Sequence, residues 1–411
     1  MVHSLRFFFI IILLGNISPN LYAGSIEPKR YFTPIPFPHE IIKTQQIQEK
    51  AKPEKLLVRS GTEVASVSLS GHVNRAMTYA DNGIKQRLLH VDNENSSSRI
   101  KVYSRAKVSD SFTIGANFSF EMQSNDSSET DISSDTGAVS FRQRETEAVF
   151  ISKDFGTFSI GHGHTRSDTT SENDLSKTDV VALGCSADAM SGGLSFRKKY
   201  IKGEANKGPI VSDVYNPMDG LSRRDRFRWD SPDVYGFSIG GSHVMQNSYD
   251  VGLNYNGKVY DTEIQGSIAH AKNRKKYKQT NGSVSILFPS GFNIGGGSGF
   301  REITIHRHHH YNNNIHRRHY HRHHPHFYHG KIGYIMKPFA IGDTAISVDR
   351  GIARHIQKNR DLCFLTGAFL VQNIDSAATE IYLGVRHHKL KRFETKFHSI
   401  FAGFLGAKVR F

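Results

Sequence analysis

Basic side chains recur at every second position in two short runs of this sequence. Arg99, Lys101, Arg105 and Lys107 alternate with Ile100, Val102, Ala106 and Val108, and Arg224, Arg226 and Arg228 alternate with Phe227 and Trp229. On an extended strand successive side chains point to opposite faces, so each run puts its charges on one face and its apolar groups on the other. Such a ladder makes and breaks no bonds. It can hold a positive potential along a wetted wall and sort solutes by charge. The densest cluster is His306 to His329, which holds eleven of the 23 histidines with Arg307, Arg317, Arg318 and Arg322 and no acid. Neutral imidazoles bind Zn, Cu or Ni, and they gain charge near about pH 6.5. Loose metal capture is therefore one expectation, with His308, His310, His319, His321 and His323 as ligands, and a pH response is another. The tract lacks the spacing of a defined metal site, so no cofactor is expected.

Other chemistry finds no support. Gly295-Gly296-Gly297-Ser298-Gly299 lies in a strand pattern and lacks the strand-to-helix context of a dinucleotide loop; its small residues suit bending or close packing of a wall. Gly161-His162-Gly163-His164 has no third ligand nearby, and no serine, histidine and acid arrangement points to hydrolysis. The chain is not expected to be an enzyme. Cys185 and Cys363 sit in no metal-ligand spacing, and sequence alone does not show whether they pair.

The elements that would carry the ladders are strands. Val67, Leu69, Val73, Met77 and Tyr79 share one face, then a long polar connection runs from Asp81 to Ser98. The Ile100 strand turns tightly at Ser109-Asp110-Ser111, and a long polar loop, Ser124 to Gly137, follows its partner. A strand from Val139 to Ile151 turns at Lys153 to Gly156 into Thr157 to Thr165, and a much longer loop starts at Arg166. Tight turns are expected again near Ser231-Pro232-Asp233, Asn256-Gly257, Pro289 to Gly291, Pro338 to Asp343 and Asp375-Ser376. Alternating long and short connections are the rhythm of a membrane barrel, and the runs amount to about sixteen strands between residues 66 and 411. Charges on the opposite face would meet lipid at roughly 2–4 kcal/mol each near the midplane, so the ladders should line the lumen. Arg75 falls on the apolar face, where it fits only if it reaches the membrane edge. Leu362 to Ile374 is apolar on both faces, which burial at a subunit interface would explain.

The net charge of +15 and 37% apolar content suit such a wall as well as a soluble basic protein. Phe7 to Leu14 is an apolar run behind Arg6 and ahead of Leu21-Tyr22-Ala23, the pattern of a secretory signal over residues 1–23. It is too short to span a bilayer as a helix. Residues 24–65, with Pro28, Pro34, Pro36, Pro38 and Pro53, read as a proline-rich periplasmic linker or extension. Export makes nucleic acid an improbable partner for the basic tract.

The last residues, HSIFAGFLGAKVRF, alternate in the same way, and the terminal Phe411 resembles the C-terminal assembly signal that the barrel-assembly machinery reads in bacterial outer-membrane barrels. Arg226 to Gly240 (RFRWDSPDVYGFSIG) resembles the strand, Ser-Pro turn and returning strand of Gram-negative general porins. Ser98 to Val108, Arg144 to Gly161 and Val371 to Val385 agree in order, so the resemblance covers about residues 66 to 411. It implies an all-β, transmembrane, antiparallel barrel of about sixteen strands, usually a homotrimer, whose third external loop folds inward as a constriction. That loop is about Arg166 to Ser222 here, carrying Asp168, Glu172, Asp174, Asp179 and Asp188. The wall facing it would hold His72, Arg99, His162 and one of Arg223, Arg224, Arg226 or Arg228. His72 and His162 replace the basic residue common there. The implied function is passive diffusion of small hydrophilic solutes and ions across the outer membrane, leaning toward anions. The alternatives are a substrate- or metal-linked channel with a His-rich external loop, or a barrel for surface display and adhesion. Implied partners are further copies of the chain, lipopolysaccharide or other outer-membrane lipid, and the solutes themselves.

Overall fold

Period-two alternation becomes a sheet whose apolar side chains face out. The computed structural model describes residues 58–61, 65–133, 139–245, 247–274, 276–303 and 324–411. The candidate signal, most of the proline-rich segment and the five candidate histidine ligands lie outside these residues. The wall begins with β1 (Ala65–Asp81) and β2, in two segments (Gln86–Asp92 and Arg99–Ser109). It continues with β3 (Phe112–Ser124), β4 (Val139–Ser152), β5 (Gly156–His164) and β6 (Arg223–Asp230). Then follow β7 (Phe237–Val244), β8 (Ser248–Val259), β9 (Thr262–Asn273), β10 (Tyr277–Leu287) and β11 (Phe292–Ile303). The last five are β12 (His326–Phe339), β13 (Gly342–Arg354), β14 (Leu362–Ile374), β15 (Thr379–Arg392) and β16 (Ile400–Arg410). Each pairs antiparallel with its neighbour, and β16 returns to β1 in the register His72↔Arg410 to Asp81↔Phe401, which closes a sixteen-stranded barrel. Closure leaves no long edge to recruit another strand.

Exposed apolar residues stud the outside, among them Val73, Met77, Phe118, Ile160, Phe227, Ile239, Val251, Ile332, Leu383 and Leu405. The alternate positions are buried and polar: Asn74, Ser119, Gln279, Asn281, Ser283, Lys331, Asp349, Arg386 and His388. An apolar outside around a polar inside is the inversion that a bilayer selects. No helix among the described residues is long and apolar enough to cross a membrane.

Several connections differ from expectation. The stretch from Asp81 to Ser98 is a tight turn followed by the strand Gln86–Asp92, paired with β1 from Arg75↔Asp92 to Asp81↔Gln86. Asn256-Gly257 makes no turn: Asn256↔Gln265 and Gly257↔Ile264 continue the ladder, and the chain reverses at Tyr260-Asp261, where Tyr260 takes φ +54°. Cross-strand pairing there outweighs the local Asn-Gly preference. Val58–Gly61, within the segment read as a linker, pairs antiparallel with the start of β1. Arg75 sits on the outer face with its charge answered. It is ion-paired to Asp92, and its Nη1 donates to Ser124 Oγ at 2.7 Å. Cys185 and Cys363 are buried free thiols.

Candidate functional site

One stretch of wall gathers a cluster of cationic side chains. Arg99, Lys101 and Arg105 come from β2, Arg144, Glu145 and Glu147 from β4, His164 from the end of β5, and Arg226 and Arg228 from β6. The carboxylates in it are taken. Glu121 is ion-paired to Arg144 and accepts from Ser97 Oγ at 2.8 Å. Glu145 lies 3.2 Å from His164 Nε2, and Glu147 is ion-paired to Arg226 while accepting from Asn117 Nδ2 at 2.7 Å. Asp230 takes Arg228 at 2.6 and 2.9 Å. Gly163 makes room for this network, because a Cβ there would stand 2.6 Å from a Glu147 carboxylate oxygen and 2.8 Å from the Arg226 guanidinium. Arg99, Lys101 and Arg105 have no carboxylate within 4 Å among the described residues. Arg99 Nε donates to Ser97 O at 2.8 Å and Arg105 Nη2 to Asn117 Oδ1 at 2.8 Å, both neutral acceptors.

The remaining candidates on this wall sit as follows. His72 is buried with Nε2 2.9 Å from Ser97 O, where residues 93–98 interrupt β2. His162 Nδ1 lies 3.1 Å from Asp225 Oδ1. Arg224 is exposed in register with Gly163, and Lys107 pairs with Asp110 at the turn. Phe411 exchanges backbone hydrogen bonds with Gly71 at 2.9 and 3.0 Å, extending the β1–β16 seam by one residue.

The segment from Arg166 to Ser222 reaches polar side chains on many strands. Ser167 N and Oγ donate to Asp250 on β8, and Asn173 Nδ2 donates to Ser267 on β9 and Ser283 on β10. Lys331 on β12 donates from Nζ to Asp174 at 2.7 Å, Thr178 Oγ1 lies 2.7 Å from Ser347 Oγ on β13, and Ser191 Oγ lies 2.8 Å from His388 Nε2 on β15. Asn93 donates to Val180 O at 2.7 Å and Asn95 to Asp179 O at 3.1 Å. The connection after β3 joins in, with Ser195 N and Oγ donating to Asp131.

An apolar cluster underlies these bonds. Val180, Val181, Met190, Leu194, Phe196, Tyr215 and Met218 of the segment pack with Phe327, Cys363, Leu365, Phe369, Val371, Tyr382 and Phe404 of the wall. This gives the second apolar face of Leu362–Ile374 its partner: Cys363, Leu365, Phe369 and Val371 meet the chain's own segment. Gly297 serves the same approach, since a Cβ there would lie 2.8 Å from Cys185 Sγ. Each fully buried large apolar side chain contributes about 1.5–3 kcal/mol, against about 1 kcal/mol for a net hydrogen bond. Packing therefore holds the segment, and the polar contacts fix its register.

The acids of the segment do not share one fate. Burial opposes ionisation of Asp174, yet the Lys331 ammonium holds its carboxyl below the usual range. Asp168 is likewise buried, and its neighbours His164, 2.8 Å away, and Arg223 hold it well down. Burial, with the Asp168 charge, pushes Glu172 up, and Asp219 beside them is raised further. Burial, then Glu380 and Asp174, pushes Asp179 up to about 6; burial alone does so for Asp188, also to about 6. The alternating acids Glu145 and Glu147 and the ion set of Asp349, Arg386 and His329 occupy inward positions, and strand alternation is the signal that marks them. Among the described residues no group of three or more His, Cys, Asp or Glu could hold a metal ion.

A family model described as Gram-negative porin matches residues 54–396. No curated protein sequence matches the chain. Its fold is similar to the anion-selective porin from Comamonas acidovorans, at 13% identity, 84% of this chain, 100% of that one and a TM-score of 0.56. It is also similar to the outer membrane channel DcaP of Acinetobacter baumannii, at 9% identity, 86% and 99% coverage and a TM-score of 0.54. The trimer form of in-vitro folded OmpT, an outer membrane protein of Vibrio cholerae, aligns at 11% identity, 85% and 100% coverage and a TM-score of 0.52. At these identities the likeness is one of fold.

Proposed function

This chain belongs to the Gram-negative porin family, and on that premise we propose that it forms a diffusion channel leaning toward anions. The family and the sixteen-stranded closure support an outer-membrane channel for small solutes. The finer reading is that Arg166 to Ser222 narrows the lumen, that residues 1–23 direct export, and that three copies assemble. What supports the constriction is the run of hydrogen bonds from this one segment to β8, β9, β10, β12, β13 and β15.

One observation carries the anion preference. The wall carboxylates Glu121, Glu145, Glu147 and Asp230 each already have a cationic or histidine partner, whereas Arg99, Lys101 and Arg105 have no carboxylate within 4 Å among the described residues. Fixed cations not held in an ion pair beside a narrow aqueous path raise the local counter-ion concentration, here of anions. The test is the reversal potential of single channels in planar bilayers under a KCl gradient. The wild-type chain should pass chloride more readily than potassium, and Arg99→Glu with Lys101→Glu should reduce or invert that preference while leaving an open channel. A cation-selective wild type, or a double variant with unchanged selectivity, rejects the reading.

A further inference from the structure

We propose that the outward face of β13 to β15, at the end of the barrel bearing the long connections, binds the phosphorylated headgroup of a lipid in the surrounding leaflet. The inference rests on the membrane-spanning reading above and adds a site to it. Along β15 the outward positions read Ile381, Leu383, Val385 and then His387, Lys389, Lys391, so a single face changes from apolar to basic partway up the strand. On β13, Ile346 and Val348 are followed by the outward Arg350 and Arg354. The ladder puts Arg350 level with His387 through Thr366 and Arg354 level with Lys391 through Leu362, with Lys389 between them, level with Ile352. Adjacent strands lie about 4.8 Å apart, which sets the two basic columns roughly 10 Å apart with β14 as the floor between them.

A groove of about 260 Å³ opens there, lined by Arg350, Phe364, Thr366, His387, Lys389 and Lys391. Lys391 Nζ stands 5.5 Å from the centre of the Phe364 ring, and none of the four basic groups has an ion-pair partner within 4 Å among the described residues. No outward acid is present on β12 to β16 at these heights: the flanking outward residues are Tyr328 and Gly330 on β12 and Phe401 on β16. Uncompensated like charges on a lipid-facing surface call for a counter-charge that arrives with the lipid. A phosphate bridged by Lys389 and Arg350 would leave its acyl chains along Val348, Ala368, Val385 and Leu383, the apolar rows directly below.

The full chain, folded in detergent and shown to conduct, would be titrated with bisphosphorylated lipid A and with its dephosphorylated form, and bound lipid counted by native mass spectrometry. The phosphorylated lipid should bind at least tenfold more tightly, and Lys389→Ala with Lys391→Ala should remove most of that margin at unchanged conductance. Because single variants at the rim can perturb folding, Arg350→Gln is a second arm, with the heat-modifiable mobility of the folded barrel as its control. Equal binding of the two lipids, or equal binding by wild type and both variants, overturns the site. Full competition by millimolar inorganic phosphate would show a free-anion site and also overturn the lipid assignment. Failure to conduct would count against the channel reading, separately from the lipid result.

Discussion

Asp349 shows how much single residues on the inner wall must carry. Its carboxylate accepts from Arg386 Nη2 at 2.9 Å and lies 3.3 Å from His329 Nε2, with all three side chains at most 1% exposed. The Arg386 guanidinium also lies over the Phe369 ring, 4.8 Å from its centre. Removing one member of a buried pair strands the other charge at a cost of about 3–5 kcal/mol, while replacing both by apolar groups of similar volume is often close to neutral. Asp349→Ala should therefore lower the denaturant midpoint of the folded barrel by about 3 kcal/mol equivalent, and Asp349→Leu with Arg386→Leu should recover most of the loss. Urea titration in detergent, read by tryptophan fluorescence or heat-modifiable mobility, checks both. A single variant within about 1 kcal/mol of wild type would mean that water already reaches the pair.

At the scale of elements, the segment from Arg166 to Ser222 couples its packing to pH. Asp179 and Asp188 titrate at about 6 in the docked segment, well above the ordinary 3.8, as burial disfavours their charged forms. Asp179 faces Glu380 and Asp174 together with Lys408 and Lys331, and Asp188 faces Arg386. The docked state thus holds protons that an undocked one would release. Docking is firmest near pH 4, weakens as pH rises through about 6, and changes little above that. Asp168 and Asp174, held down by His164 and Lys331, act in the opposite sense only as pH falls below the ordinary carboxylate range. Glu172 and Asp219, also raised by burial, act in the same sense as Asp179 and Asp188, so between pH 5 and 7.5 the raised acids together decide the sign. Hydrogen exchange of residues 176–194, corrected for intrinsic rates, should be slower at pH 5 than at pH 7.5, and Asp188→Asn should reduce the difference. Faster exchange at pH 5 would reverse the assignment. Most elements were legible because alternation marks any strand with one face in lipid and the other in water. Gln86–Asp92 escaped because its seven residues begin and end polar and looked like loop. Leu362–Ile374 is a strand as its pattern predicts, but the partner of its inner face is residues 180–218 of the same chain, fixed by tertiary structure rather than by local pattern. The same limit hid the site: sequence placed Arg99, Lys101 and Arg105 inward, but not which carboxylates Arg144, Arg226 and Arg228 would consume.

For the molecule as a whole the charge of +15 is a poor guide to what the channel selects, because it is spread over surfaces that a permeating ion never approaches. Only charge within a screening length of the path acts on the ion, and that length is about 10 Å at 0.1 M salt and about 3 Å at 1 M. The wall cations Arg99, Lys101 and Arg105, none with a carboxylate within 4 Å among the described residues, stand on one strand at two- and four-residue intervals, a span of roughly 20 Å at about 3.4 Å per residue. In dilute salt their fields overlap along that length and act as one positive stripe; in concentrated salt each acts alone on ions that touch it. The proposed anion preference should therefore fall markedly when the same twofold KCl gradient is raised from about 0.1 M to about 1 M, and the Arg99→Glu, Lys101→Glu variant should show its largest departure from wild type in the dilute series. If the preference came instead from width or from dehydration at the narrowest point, it would survive in molar salt unchanged. Reversal potentials across that range then separate a field effect from a sieve, and with it decide whether the basic ladder or the docked segment sets selectivity.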